Sequence, residues 1–364
     1  MLLKLYKRWF WFIKSDMQIK IDFFSDSNTN PSIEMREAMA RAAVGNEAAG
    51  EDPTVNELIE ETCKILGKPA GIFLVSGTMC NVIAYKTHIK NPGDYLILDE
   101  TSHPLLVQSG LIAGQVHATP LPIKGNRGIF TADQIREFVT RPNLRNIPKA
   151  RLVSIEQTTN FGGGAIWPLE YIKDISNLCR ANNVSTHLDG ARLFNACAYT
   201  KISSKEYADY FDSVFIDFSK GLGAPMGAVL VGSKEFIEQA WYYKFQIGGG
   251  MHQAGIIAAG CLYGLKNNIN SLEEDHKKTN YLVECLSNIE QIAIDSNLYN
   301  TNISYFTLVN PPVSENQLVD ILIKEYGIRM SIVLDKIRVI THRDISYENI
   351  DTTVFAIKKI LGYS

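Results

Sequence analysis

No two of the six cysteines form a Cys-x-x-Cys pair, and none stands at metal-ligand spacing. Zinc-ribbon and disulfide frameworks are excluded, and no metal is expected. Cys63, Cys80, Cys179, Cys197, Cys261 and Cys285 read as small buried hydrophobes of a reducing compartment, which points to the cytoplasm. An excess of one charge is also missing, since 36 Lys and Arg face 39 Asp and Glu and both signs are spread along the chain. A nucleic-acid surface is thereby excluded. Residues 1–16 come nearest to a membrane segment, with Trp9, Phe10, Trp11 and Phe12 among Lys4, Lys7, Arg8 and Lys14. The run is too short and too charged to span a bilayer, and it lacks the apolar core and cleavage site of a secretory signal. Its amphipathic pattern would suit a membrane surface. Ordinary sequence resumes at Met17-Gln18, so these residues are expected to be an extension outside the fold.

What is present is the balance of a soluble globular protein, with 46% hydrophobic and 21% charged residues. At 364 residues the chain exceeds one typical core, so a large domain over 17–265 and a smaller one over 266–364 are expected. Ser32 can cap a helix beginning near Ile33, and Gly50-Glu51-Asp52-Pro53 breaks the chain before a helix from Val55 to about Leu66. Apolar runs then alternate with helix-period stretches. The runs are Ala70–Val75, Tyr95–Leu98, Gln115–Leu121, Arg151–Ile155, Val184–Leu188, Ser213–Phe218 and Ala228–Val231. The alternation predicts an α/β fold with a mostly parallel sheet covered on both faces. Ligands gather beyond the carboxyl ends of such strands, and Ser76, Thr78, His103, Glu156, Asp189, Arg192 and Lys220 fall there.

Lys220 closes an apolar run and is followed by Gly221, Gly223 and Pro225, which end the strand in a turn. A lysine fixed there can be desolvated, and its neutral amine is then a nucleophile for a carbonyl, which is Schiff-base chemistry. A surface lysine beside a turn is the plainer alternative. Ser76-Gly77-Thr78 follows a strand and opens a helix, an arrangement suited to an anion, although it is also an ordinary N-cap. Asp189 ends Val184–Leu188 and precedes Gly190-Ala191-Arg192. A buried carboxylate needs a partner: either a salt bridge to Arg192 or the ring nitrogen of pyridoxal phosphate, whose aldehyde Lys220 would hold. Arg338 stands alone among apolar residues in Ile337–Ile340 and points either inward to a carboxylate or outward to solvent.

From about Asp22 onward the chain resembles the low-specificity threonine aldolase family, pyridoxal-phosphate enzymes grouped with the beta-eliminating lyases of fold type I. The stretches that carry the resemblance are Gly50-Glu51-Asp52-Pro53-Thr54-Val55-Asn56, Ser76-Gly77-Thr78-Met79, His187 to Ala196, Ser219-Lys220-Gly221-Leu222-Gly223-Ala224-Pro225, Gly248-Gly249-Gly250-Met251, Gln253-Ala254-Gly255 and Arg338-Val339-Ile340-Thr341-His342. The resemblance implies a seven-stranded sheet between helices with a small C-terminal α/β domain. It implies that Lys220 carries pyridoxal 5'-phosphate, Asp189 pairs with the ring nitrogen, His103 stacks on the ring, and Ser76, Gly77 and Thr78 hold the phosphate. Ser25, Arg192 and Arg338 would bind the substrate carboxylate. Homo-oligomers, dimers of dimers with shared active sites, are implied as well.

Departures accompany the match. Glu156-Gln157-Thr158-Thr159 stands where the family has Glu-Asn-Thr-His, and Gln108 replaces a glutamate. Ala49 replaces a tyrosine, Lys244-Phe245 an Arg-Lys pair, and His252 an arginine beside the phosphate. Three readings follow: an aldolase cleaving a β-hydroxy-L-amino acid to glycine and an aldehyde, a lyase with other α-carbon chemistry, or a weakly catalytic binding subunit.

Overall fold

The run of apolar strands closes into one sheet because helix-covered parallel strands bury both faces. In the computed structural model, which describes residues 18–142, 144–294, 298 and 301–363, the chain divides into two compact units. One unit is residues 30–269, and the other joins residues up to Thr29 to those from Asn270. The leader expected over residues 1–16 lies outside the described residues.

The larger unit holds seven strands: β1 (Ala70–Leu74), β2 (Tyr95–Asp99), β3 (Thr119–Ile123), β4 (Ala150–Glu156), β5 (Ser185–Gly190), β6 (Ser213–Asp217) and β7 (Ala228–Gly232). Their order across the sheet is β1-β7-β6-β5-β4-β2-β3. β3, β2, β4, β5 and β6 are parallel, and β7 runs antiparallel to both its neighbours. Every residue of β6 and β7 is buried, as their unbroken apolar runs require.

Only the last three residues of the run Gln115–Leu121 are strand. Ile112–Val116 is a helical turn ended by His117 at φ 60°, and β3 starts only at Thr119. Pro120 and Pro122 lie within β3, and its place at the sheet edge is what tolerates them.

Local signals set the helices that frame the site. Asp52 accepts from the backbone N–H groups of Thr54 and Val55, so with Pro53 in the first turn the second helix runs Pro53–Leu66. Ser76 Oγ accepts from Met79 N at 3.2 Å and starts helix Gly77–His88 directly after β1. That helix packs Ile83 and Tyr85 into the core formed by Leu96, Leu98, Leu152 and Phe215. Gly77 is required there, since a Cβ on it would stand 2.8 Å from Phe215 Cε2.

The smaller unit has its own core, including Phe23, Leu286, Phe306, Ile337 and Ile357. Its four-stranded antiparallel sheet takes Ser331–Val333, Lys336–Ile340, Ile303–Leu308 and Ile292–Ala293 in that order. Residues 18–29, expected in the large domain, belong to this unit, because Ile21–Asp22 pairs in parallel with Ile328–Arg329. Arg329 reinforces that pairing with an ion pair to Asp22. Among the described residues no helix is long and apolar enough to cross a membrane.

Candidate active site

Register places the polar strand ends side by side. Glu156 at the end of β4 lies opposite Asp189 of β5, and Asp189 lies opposite Phe215 of β6, two residues before Asp217. Asp189 is 3% exposed. Its Oδ2 accepts from Asn81 Nδ2 at 3.0 Å and its Oδ1 from Ala191 N at 3.2 Å. Burial pushes the Asp189 carboxyl up from its ordinary range, while the Lys220 charge and the Asn81 hydrogen bond pull the other way. The salt bridge to Arg192 considered from sequence is not what these two oxygens make. Arg192 is buried at the start of helix Leu193–Thr200, and its charge favours the ionised form of Glu156.

Lys220 sits in the turn after β6, as its glycines predict, with Gly223 N donating to Lys220 O at 2.8 Å and Gly223 at φ 77°. Its amine is not simply desolvated. Nζ donates to Asp217 Oδ2 at 2.7 Å, and Asp217 Oδ1 accepts from Ser219 N at 2.9 Å and Ser219 Oγ at 2.7 Å. Burial opposes the Asp217 charge, but Lys220 and Ser219 hold that carboxyl below its ordinary range. Asp217 and Asn81 are site residues that the sequence motifs do not single out. The one signal for Asp217 is an acid closing an otherwise apolar strand, three residues before the lysine.

Helix Gly77–His88 points its first turn at this group. A Cβ on Gly77 would come within 2.8 Å of the Phe215 ring and 3.3 Å of Asp217 Oδ2, so only glycine lets the helix start lie this close to the end of β6. First-turn N–H groups and the helix dipole favour an anion at the helix start. Ser76 spends its hydroxyl on the cap, and Thr78 is exposed.

His103 opens a short helix past β2. Its backbone N–H donates to Glu156 Oε2 at 3.3 Å, its Nδ1 lies 3.0 Å from Gln108 Nε2, and its ring is nearly parallel to that of Phe161. Glu156 Oε1 accepts from Asn160 N at 3.2 Å. Burial first, and the Asp189 charge second, push the Glu156 carboxyl up to about 8. Two facing carboxylates in one buried site do not both ionise readily, and Glu156 is the one that keeps its proton at neutral pH. Because the folded value lies above the unfolded one, the folded state binds the extra proton. Stability is therefore full below the ordinary carboxyl range and falls as pH rises to about 8. Urea unfolding of the cofactor-free protein between pH 5 and 9 is expected to show that decline, and Glu156→Gln to flatten it.

Thr159, which takes the place of the family histidine, is buried, and it is closed in by Gly128 and Gly162. A Cβ on Gly128 would lie 2.8 Å from Thr159 Cγ2, which shows how little room is left at this position.

The glycine run is stapled to the segment before the second helix, since Glu47 N donates to His252 O at 2.9 Å and Ala48 N to Met251 O at 3.2 Å. His252 itself is exposed, with Nδ1 3.3 Å from Asn46 Oδ1. Lys244 turns inward and is 0% exposed, forming an ion pair with Glu47 and donating to Phe73 O at 2.9 Å. The Trp241 ring lies 4.3 Å from Nζ. Lys244→Met leaves the Glu47 charge buried and uncompensated, so urea unfolding is expected to show a loss of about 3–5 kcal/mol, largely recovered by adding Glu47→Leu.

In the smaller unit Arg338 is 3% exposed and points inward, donating from Nε to Ser331 Oγ at 3.2 Å and from Nη2 to Phe24 O at 3.2 Å. Ser25 follows Phe24 and caps a short turn, its Oγ accepting from Ser27 N at 3.2 Å. The structure thus brings Lys220, Asp189, Asp217, Glu156 and Gly77 to the carboxyl ends of the strands. It places Ser25 and Arg338 close to one another in the other unit.

Comparison with known proteins adds five findings. A family model described as beta-eliminating lyase matches residues 22–308. A probable low-specificity L-threonine aldolase 2 of Arabidopsis thaliana is 34% identical over 93% of this chain and 97% of its own length. A low specificity L-threonine aldolase of Escherichia coli O157:H7 is 34% identical over 91% of this chain and 96% of its own. Among solved structures, a threonine aldolase of Leishmania major superposes with a TM-score of 0.80 at 19% identity, covering 94% of this chain and all of that one. A putative L-allo-threonine aldolase of Listeria monocytogenes gives 0.76 at 22% identity, covering 94% and 97%. At those identities the two structures speak for the fold alone.

Proposed function

Because the chain belongs to the beta-eliminating lyase family, we propose that it is a pyridoxal-phosphate aldolase cleaving a β-hydroxy-L-amino acid of the threonine type to glycine and an aldehyde. The observation that carries this reading is Lys220, held by Asp217 in the turn after β6, with its charge reaching the buried carboxylate Asp189 of the neighbouring strand. The start of helix Gly77–His88, directly after β1, suits a phosphate. Lys220 would hold the cofactor's aldehyde, Asp189 its ring nitrogen, and Gly77 and Thr78 its phosphate, with Ser76 building the helix start. His103 would lie over the ring, and His252 is the remaining candidate beside the phosphate. When bound, pyridoxal phosphate supplies an electron sink for the bond broken at the α carbon.

The chain's own groups do the rest. Asp189, fixed by Asn81 and the Ala191 N–H, would hold a proton on the ring nitrogen. Glu156 keeps the adjacent charge down by staying protonated. With the Gln108 amide turned so that Oε1, buried and otherwise unbonded, accepts from Nδ1–H of His103, Nε2 keeps its lone pair and is the nitrogen assigned to take the proton of the β-hydroxyl. Thr159 has no group that accepts a proton near neutral pH. For the substrate carboxylate the larger unit offers Arg192, buried at the start of its helix, and an arginine grip on that group would decide which α-carbon bond is cleaved.

Thr159 and Gln108 favour, as the second reading, a lyase acting differently at the α carbon. Incubation with L-threonine and L-allo-threonine separates the two: glycine and acetaldehyde are expected, whereas ammonia and a keto acid would mark the lyase. The same reading takes the protein as a cytoplasmic homo-oligomer, a dimer of dimers with shared active sites. It is supported by six free thiols and by exposed apolar Ile33, Tyr242 and Phe245 on the larger unit. Light scattering giving a monomeric mass would overturn the oligomer.

A further inference from the structure

We propose that Asp217 is the proton partner of Lys220: its Oδ2 takes the proton that Nζ must lose before the amine can add to the cofactor's aldehyde, and returns it as water leaves. The proposal rests on the reading of Lys220 as the cofactor's anchor. The two atoms are 2.7 Å apart, with the lysine side chain 20% exposed and the aspartate side chain 8%. Ser219 holds the other oxygen through its N–H and its hydroxyl, which aims Oδ2 at Nζ. Asp217 ends a strand buried along its whole length, so the carboxylate cannot turn away without disturbing the core.

A lysine that forms an imine faces a conflict, because a buried counter-ion favours the ammonium and the reaction needs a lone pair. The short contact resolves it internally. One N–H bond of the ammonium breaks and one O–H bond forms on Oδ2, leaving a neutral amine and a neutral acid. The amine lone pair adds to the aldehyde carbon, and a nitrogen proton passes to the former carbonyl oxygen to give a hydroxyl. The acid then gives its proton to that hydroxyl, which departs as water while the nitrogen lone pair closes the double bond. Asp217 ends as a carboxylate beside a cationic nitrogen, so no proton is gained or lost to solvent.

The charged and titratable groups around Asp217 come from four elements. Lys220 stands on the following turn and Asp189 on the neighbouring strand, while Cys80 of helix Gly77–His88 and Cys261 of helix Gly255–Asn267 both feel its charge. Burial pushes both thiols well above their ordinary range, so they stay neutral across the range tested.

The test is the rate at which cofactor-free protein captures pyridoxal phosphate, followed by stopped-flow absorbance from pH 6 to 8. In the native protein the ion pair is itself the reactive form, and the rate is expected to change less than about threefold, the phosphate group's own titration near the acid end included. In Asp217→Asn the lysine must first shed its proton to water, and the rate is expected to rise about tenfold per pH unit. Asp217→Ser, which cannot take up a proton in this range, is expected to behave in the same way and guards against misfolding of the first variant. A variant profile as flat as the native one, or a native profile as steep as the variants', overturns the proposal. No capture by the native protein at any pH would overturn the anchoring role of Lys220 as well.

Discussion

Replacing Lys220 with alanine is expected to lower kcat/KM on L-threonine about a thousandfold or more, because the covalent anchor and the nucleophile disappear together. Borohydride treatment of the native holoenzyme should add the cofactor's mass to the peptide bearing Lys220, and the variant should gain none. Lys220→Arg is the informative companion. A guanidinium can still answer Asp217 but never offers a neutral amine, so activity should be lost just as completely. The two variants should differ in stability. Alanine strands the Asp217 carboxylate at a buried strand end, whereas arginine leaves it compensated. Because Lys220 is partly exposed, the cost of alanine should fall below the range for fully buried pairs, at less than about 3 kcal/mol in urea unfolding of the cofactor-free protein. Equal stability of the two variants would show that Asp217 does not depend on this partner.

Asp189→Asn is expected to lower kcat/KM by about two to three orders of magnitude, as expected when a preorganised charge is removed from a dry site. The substitution is nearly isosteric, yet both carboxylate oxygens act as acceptors, one for Asn81 Nδ2 and one for the Ala191 N–H. An amide must turn its NH2 toward one of these donors, so it loses a hydrogen bond as well as the charge. The change also removes the neighbour that helps keep Glu156 protonated. The alkaline decline in stability of the cofactor-free protein should therefore move to lower pH, though burial still holds Glu156 above its ordinary range. Should the variant keep native kcat/KM, Asp189 would not be the ring-nitrogen partner.

Features that depend on a single stretch of chain are legible in the sequence itself. The apolar runs of β6 and β7, the turn that fixes Lys220, the acid that ends β5 and the Ser32 and Ser76 caps all follow from local chemistry. What stays hidden there depends on neighbours distant along the chain. Asn81 looks like any polar residue on a helix until Asp189 is found 3.0 Å away. The mutual charge of Glu156 and Asp189 exists only because of a register between two strands. The inward turn of Lys244 requires Glu47, and the membership of residues 18–29 in the smaller unit requires a strand near the other end of the chain. The run Gln115–Leu121 misleads for another reason: its hydrophobicity suggests a strand throughout, while the chain bends at His117 and only its last residues extend.

The antiparallel insertion of β7 between β1 and β6 has a consequence for synthesis on the ribosome. β1 is among the first strands of the larger unit to emerge, yet its only partner in the sheet is made last of the seven. Until residue 232 has left the exit tunnel, the nascent chain must hold β1 without a hydrogen-bonded neighbour, an exposed edge of the kind chaperones recognise. Ile21–Asp22 waits longer still, for Ile328–Arg329. A message truncated ahead of β7 should thus yield insoluble product, and one truncated just beyond it should not suffer this particular defect.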